Sequence, residues 1–325
     1  MLLRVAPAMT MARPVLDPHM ETFLGLVGAA GQADPSSVPV EIVREGARAL
    51  RLPWNEGGPA MAASEDLVLA GLRGRLHRPV PADGAQPVTL YLHGGGWTLL
   101  DIDTHDGLAR RLARASGRPV LLVDYPRAPE HAFPAPLLGL RDAVRALARE
   151  AAGLGLDGTR LALCGDSAGA NLALGLALLL RDEGGPHACA LGLAYGSFAD
   201  RFDTRSHRAY GNGDLPLSTA RMRWFWDNYV PDPGRRREPL VSPLHAELAG
   251  LPPAFLAVAQ YDVLYDENIA VAERLGAAGN DLSLRVYPGT VHGFFEAAAA
   301  VGAAVADRAI LELGRFLGHH LERTS

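Results

Sequence analysis

From about residue 79 onward, short apolar runs rich in β-forming residues alternate with longer runs of helical period. This alternation restricts the fold more than any other feature of the chain. The strand-like runs fall at 88–92, 120–125, 161–163, 190–195, 254–259 and 282–287. Helix-like runs fall at 107–116, 136–152, 171–182, 267–278 and 303–319. Strands separated by helices are joined by crossovers, so the pattern predicts an α/β protein with a mostly parallel central sheet and helices on both faces. Two further strands, antiparallel, are expected within 66–78. With 325 residues, 48% of them apolar and 21% charged, the chain can bury a core of that size.

Two segments interrupt the rhythm and divide the chain into 1–62, 63–197, 198–240 and 241–325. The first holds helical runs at 17–29 and 40–50 between Pro- and Gly-rich links. The third carries Phe198, Phe202, Tyr210, Trp224, Phe225, Trp226 and Tyr229, with Ser218 placed to cap a helix reaching about Asn228. Such a cluster reads either as local core or as the wall of an apolar substrate pocket. Trp97, Phe198, Trp224 and Phe294 are the pocket candidates.

Within the regular region, two stretches carry chemistry. Gly165-Asp166-Ser167-Ala168-Gly169 lies between a strand-like and a helix-like run, the setting of a nucleophile elbow, in which flanking glycines let a sharp turn expose the serine oxygen. Upstream, His93-Gly94-Gly95-Gly96-Trp97 follows another strand-like run. A glycine loop there can turn backbone N–H groups toward an acyl oxygen, with Gly95, Gly96 and Ala168 as donors and Gly94 shaping the loop. His93 reads as a structural residue that holds the loop by hydrogen bonds.

A serine nucleophile needs a base and an orienting acid, in the order Ser, Asp or Glu, His, at successive strand ends. Asp262 follows the run at 254–259, and His292 follows the run at 282–287. One helix-like and one strand-like run separate the two. His292 would take the Ser167 proton, and Asp262 would hold the imidazole tautomer. Asp266, one helical turn beyond Asp262, reads as a helix cap or ion-pair partner.

Other signals point away from other functions. A net charge of −5 without a concentrated basic face argues against nucleic-acid binding, and Arg235-Arg236-Arg237 reads as a solvated loop. The segment 153–158 spells G-x-G-x-x-G but falls after a helix and before a strand, the reverse of the dinucleotide-binding order. Asp101, Asp103, His105 and Asp106 have metal-like spacing, yet Asp103-Thr104 before a helix reads as a capping region; neither metal nor cofactor is expected. Two cysteines make no disulfide framework and suit a reducing, cytoplasmic setting, with Cys164 a small core residue. Residues 1–11 do not read as a signal peptide, and no apolar run is long enough for a membrane span. The Ala-rich stretch 297–306 reads as a packed helix, and a homodimer is left open.

Together, His93 to Trp97, Asp124-Tyr125-Pro126-Arg127-Ala128-Pro129-Glu130, the elbow and the settings of Asp262 and His292 resemble the hormone-sensitive-lipase family of carboxylesterases, its bacterial short-chain and acetyl esterase branch. The resemblance covers residues 85–325 in order. It implies an α/β-hydrolase fold with a helical cap supplied by 1–62 and 198–240. It also implies Ser167, Asp262 and His292 as triad, and Gly95, Gly96 and Ala168 as oxyanion donors. The chain departs from the family at Pro126-Arg127, where Arg-Leu is usual, at Gly196, usually proline, and at Ala170, commonly glycine. The expected substrate is a small ester with a short to medium acyl group. Amidase, lactonase or deacetylase action on the same triad is the alternative. A non-catalytic small-molecule receptor is a remoter one, against which the presence of His292 speaks.

Overall fold

The computed structural model describes residues 14–29, 37–81 and 84–322; the signal-peptide reading of residues 1–11 lies outside them. Eight strands form one sheet: β1 (Ala63–Leu69), β2 (Leu72–Arg78), β3 (Gln86–Leu92), β4 (Val120–Val123), β5 (Leu156–Asp166), β6 (Ala188–Ala194), β7 (Ala254–Tyr261) and β8 (Leu282–Val291). Their order is β1-β2-β4-β3-β5-β6-β7-β8. The β2 strand pairs antiparallel with β1 and β4, and all pairs from β4 to β8 are parallel.

The helices are α1 (Pro18–Ala29), α2 (Val40–Arg51), α3 (Asp106–Ser116), α4 (Ala135–Glu150), α5 (Ala168–Asp182), α6 (Arg205–Tyr210), α7 (Thr219–Tyr229), α8 (Tyr265–Ala277), α9 (Ala297–Ala300) and α10 (Ala304–Glu322). Every residue of β3 is buried, as a central parallel strand requires. Alternate strand residues feed opposite faces. Leu90, Leu163, Leu191 and Leu256 pack with α4, α5 and α8, whereas Tyr91, Ala162, Cys164 and Ala190 pack with α3 and α10.

Several local expectations change. The Ala-rich stretch is not one helix, because the chain breaks between α9 and α10 at Gly302, whose φ is +65°. The α3 start is capped from a distance: Gly107 N–H donates to Asn55 Oδ1 at 2.7 Å, and no side chain of the 101–106 stretch caps it. Of the three consecutive arginines, Arg236 is buried, donating to Val230 O and Asp227, while Arg235 stays exposed beside Glu238. The α6 helix was not anticipated; Thr204 caps it by accepting His207 N–H, as Ser218 caps α7 by accepting Arg221 N–H. No residue of α2 is buried. It is held instead by arginines at i, i+4 and i+7, namely Arg44 to Glu130, Arg48 to Asp101 and Asp103, and Arg51 to Glu296.

Candidate active site

The β5–α5 turn is tight because both flanking glycines lie against backbone. A Cβ on Gly169 would come 1.9 Å from Leu92 O, and one on Gly165 would come 2.4 Å from the Gly169 carbonyl carbon. Between them Ser167 is held at φ +53°, ψ −118°, a conformation costing about 1–3 kcal/mol that only surrounding structure can impose. The strain turns the hydroxyl into a cavity above the carboxyl ends of the strands, which Ser167 and His292 line.

The ends of β7 and β8 supply the other two groups. Ser167 Oγ lies 2.9 Å from His292 Nε2, and His292 Nδ1 lies 2.7 Å from Asp262 Oδ2. Asp262 is 2% exposed, and its other oxygen accepts Leu264 N–H at 3.0 Å. The carboxylate therefore fixes the ring and starts the next helix together. Tyr195 meets the imidazole edge-on, with ring centroids 5.1 Å apart. Asp266 stands outside this relay and accepts Ser206 N–H at the start of α6.

The glycine loop is pinned around the groups it leaves free. Tyr125 OH donates to His93 O at 2.8 Å, His93 Nδ1 is 2.7 Å from Gly94 O, and the His93 ring stacks on Tyr125 at 4.3 Å. Gly95 O accepts Leu99 N–H at 2.8 Å. Among the described residues, the N–H groups of Gly95, Gly96 and Ala168 have no hydrogen-bond partner. Gly95 and Gly96 line the cavity, and Ala168 is buried directly after Ser167. Gly96 sits at φ +59° with its Cβ direction only 2.2 Å from the Phe225 ring, so a side chain there would meet both strain and overlap.

The cavity measures about 390 Å³, within the range of small-ligand sites. Val43 and Ala47 of α2, Leu99 and Leu100 after the glycine loop, and Leu217 and Phe225 from the 198–240 segment give it apolar walls. Arg51 and Glu296, paired at 2.9 Å, make a polar corner.

The four aromatic pocket candidates do not line it. Trp97 has φ +56°, which turns its indole under the loop, flat against Tyr229 at 4.4 Å. Phe198 is fully buried in the core, and Phe294 is fully buried against Tyr195 and Tyr287. Trp224 sits one residue, about 100° of helical turn, from Phe225, and that step takes it off the cavity-facing side of α7. Phe225 takes the place expected for Trp224.

Arginines neutralise the acidic stretch 101–106. Burial would raise the Asp103 carboxyl, but Arg73 and Arg48 hold it at about 2; Arg75 and Arg110 lie against Asp106. Among the described residues no group of three or more His, Cys, Asp or Glu is arranged to hold a metal ion. No helix among them is long and apolar enough to cross a membrane. Burial pushes the Cys164 thiol well above its ordinary value, so it offers no thiolate beside the elbow.

Sequence reasoning gave no role to Asp166 or to the Arg51–Glu296 pair, weighed His105 only as a metal ligand, and took Phe225 only as one member of an aromatic cluster. Asp166 carried a signal, since a charged residue closing an apolar strand has to be buried with a partner.

A parallel-rich sheet with a serine elbow, a histidine and an acid at successive strand ends defines a hydrolase-type scaffold. The chain belongs to the α/β-hydrolase fold family, whose sequence model matches residues 89–296. It is 34% identical to the carboxylesterase NlhH of Mycobacterium tuberculosis over 304 residues, 91% of this chain and 93% of that one. It is 33% identical to the ethyl acetate hydrolase of Pseudomonas putida, over 94% of this chain and 99% of that one. The crystal structure of a thermostable esterase from Pseudomonas putida superposes with a TM-score of 0.87 at 30% identity, covering 97% of this chain and 100% of that chain.

Proposed function

We propose that this chain is a serine carboxylesterase that hydrolyses esters of short to medium acyl groups through an acyl-serine intermediate. The observation that carries the reading is the Ser167–His292–Asp262 relay, 2.9 and 2.7 Å between heavy atoms, facing a cavity with unpartnered N–H groups at Gly95 and Gly96. The cavity volume of about 390 Å³ supports a small ester.

In the first half-reaction, Ser167 Oγ bonds to the ester carbonyl carbon as His292 Nε2 takes its proton. The oxyanion gains hydrogen bonds from Gly95, Gly96 and Ala168, each worth about 10²–10³ in turnover in sites of this kind. His292 then gives the proton to the alkoxy oxygen as its bond to carbon breaks, and the alcohol leaves. In the second half, water attacks the acyl carbon and passes a proton to His292, which returns it to the departing Ser167 oxygen. Asp262 stays ionised and holds Nδ1–H throughout.

The helices α2 and α7, drawn from 1–62 and 198–240, serve as a cap, a role supported by their contribution to the cavity wall. The free thiols Cys164 and Cys189 support a cytoplasmic setting.

The test is a series of initial rates on p-nitrophenyl esters from acetyl to palmitoyl, with wild type and Ser167→Ala side by side. Rates that peak at short chains and vanish in the variant are expected. No serine-dependent rate at any length would overturn the ester assignment.

A further inference from the structure

Asp166 takes no part in the proton relay, yet it lies buried, 3% exposed, immediately before the nucleophile. Its Oδ1 accepts Gly94 N–H at 3.0 Å and Tyr91 OH at 2.8 Å. His105 Nε2 stands 3.5 Å from the same oxygen, an ion-pair contact longer than a good hydrogen bond. Burial opposes the Asp166 charge, yet His105 above all, with the Tyr91 hydroxyl and His93 adding to it, holds the carboxyl below its ordinary range.

The hydrogen bonds around His105 fix its protons. The ring is 1% exposed, and its Nδ1 lies 3.2 Å from Thr104 Oγ1. That hydroxyl has one proton, which it donates to Asp101 O at 2.8 Å, so toward His105 it can only accept. Nδ1 therefore carries a proton. Nε2 faces a carboxylate, which also calls for a proton. The His93 and Tyr91 rings lie 5.5 and 6.4 Å from the imidazole, with Glu296 and Arg51 acting on it from farther away with opposite signs. Burial opposes its charge, but the nearby Asp166 outweighs this and the pKa lies above the ordinary value.

The loop geometry shows what the pair does. Gly94 is held at both ends, its N–H by Asp166 and its carbonyl by His93. In a trans peptide the C=O and the following N–H point in opposite directions, so fixing Gly94 O aims Gly95 N–H away from His93. A Cβ on Gly94 would come 2.5 Å from Asp166 Oδ2, which is how closely the loop rests on the carboxylate.

We infer that Asp166, kept ionised by a buried imidazolium at His105, is a positioning residue that sets the register of the oxyanion donors against the Ser167 oxygen. The inference rests on the serine-esterase reading above. A charged acceptor holds Gly94 N–H more firmly than an amide oxygen of the same shape. Asp166 borders the cavity only beside Ser167, so loss of the charge loosens the loop and leaves the apolar walls from Val43, Ala47, Leu99, Leu100, Leu217 and Phe225 in place.

The test uses wild type, Asp166→Asn, His105→Gln and Ser167→Ala. Histidine-ring ¹⁵N spectra followed through a pH titration, assigned by the signal lost in His105→Gln, should show the wild-type His105 ring staying doubly protonated to higher pH than an ordinary histidine. In both Asp166→Asn and His105→Gln, kcat on p-nitrophenyl acetate, counted per serine titratable with a p-nitrophenyl phosphonate, should fall about 10- to 100-fold with KM changed less than about twofold. A wild-type His105 ring that loses its proton at or below the pH of an ordinary histidine would overturn the inference even if Asp166→Asn does not fold. So would a kcat within about twofold of wild type in either variant, while the esterase reading stood. Absence of Ser167-dependent turnover in wild type would overturn both.

Discussion

Replacing Asp262 with asparagine preserves shape and reverses one hydrogen bond, and the structure shows which. The two carboxylate oxygens have different partners, Leu264 N–H at Oδ1 and His292 Nδ1–H at Oδ2, both of them donors. An amide has one acceptor. If its oxygen stays on Leu264, the amide NH₂ faces Nδ1 and forces the His292 ring to carry its proton on Nε2. That nitrogen can then no longer accept the Ser167 proton. If the amide turns round, its NH₂ opposes Leu264 N–H, leaving a buried donor unpaired at a cost of about 1–3 kcal/mol. The first arrangement prevails, and the ring rests in the unproductive tautomer. A triad with the wrong tautomer loses about 10⁴ in kcat, or roughly 5.5 kcal/mol of barrier. Asp262 does not line the cavity, so KM should stay within a few-fold. Steady-state rates on p-nitrophenyl acetate, with the melting temperature measured alongside, test this. A folded Asp262→Asn enzyme with kcat within tenfold of wild type would refute the reasoning.

Other perturbations separate the parts of the site. Phe225→Ala should remove the wall against Gly96 and move the ester chain-length optimum upward, whereas Trp224→Ala should leave it in place; the reverse pattern would contradict the cavity assignment. Gly169→Ala drives a Cβ into Leu92 O and should destabilise the fold by about 3 kcal/mol in urea titration, the upper end of overpacking; an unchanged midpoint would refute the close approach. Burial holds the His207 imidazole down at about 4, so the folded protein keeps it neutral while the unfolded chain protonates near 6.5. Its contribution is complete above 6.5 and is lost as pH falls toward 4, and His207→Gln should flatten that part of the thermal-stability profile. An unchanged slope would show that the loss arises elsewhere.

Much of this was legible in the chain because its chemistry depends on order along the sequence. Ser167, Asp262 and His292 each follow an apolar strand, and a parallel sheet brings strand ends together whatever the loops do. The glycine loop was legible for a similar reason, since Gly96 is the residue that can sit at φ +59° under Phe225. The pocket was not. Which aromatic faces the substrate depends on the rotational phase of α7 and on the positive φ of Trp97, and composition carries neither. The α2 helix shows another limit: its apolar face of Val43, Ala47 and Leu50 was readable as a helix, but the arginines that tie it to acids distant in sequence were not. Asp103 and His105, which suggested a metal, instead meet arginine and Asp166.

The most direct test of the central assignment is to trap the acyl-enzyme. His292→Ala or wild type is mixed with p-nitrophenyl acetate, quenched in acid at early times and mapped by peptide mass spectrometry. Wild type should carry one acetyl group, on Ser167, that appears with a burst of p-nitrophenol and decays at the steady-state rate; His292→Ala should acquire it far more slowly. Acetylation at another residue, or turnover with Ser167 never modified, would contradict the assignment.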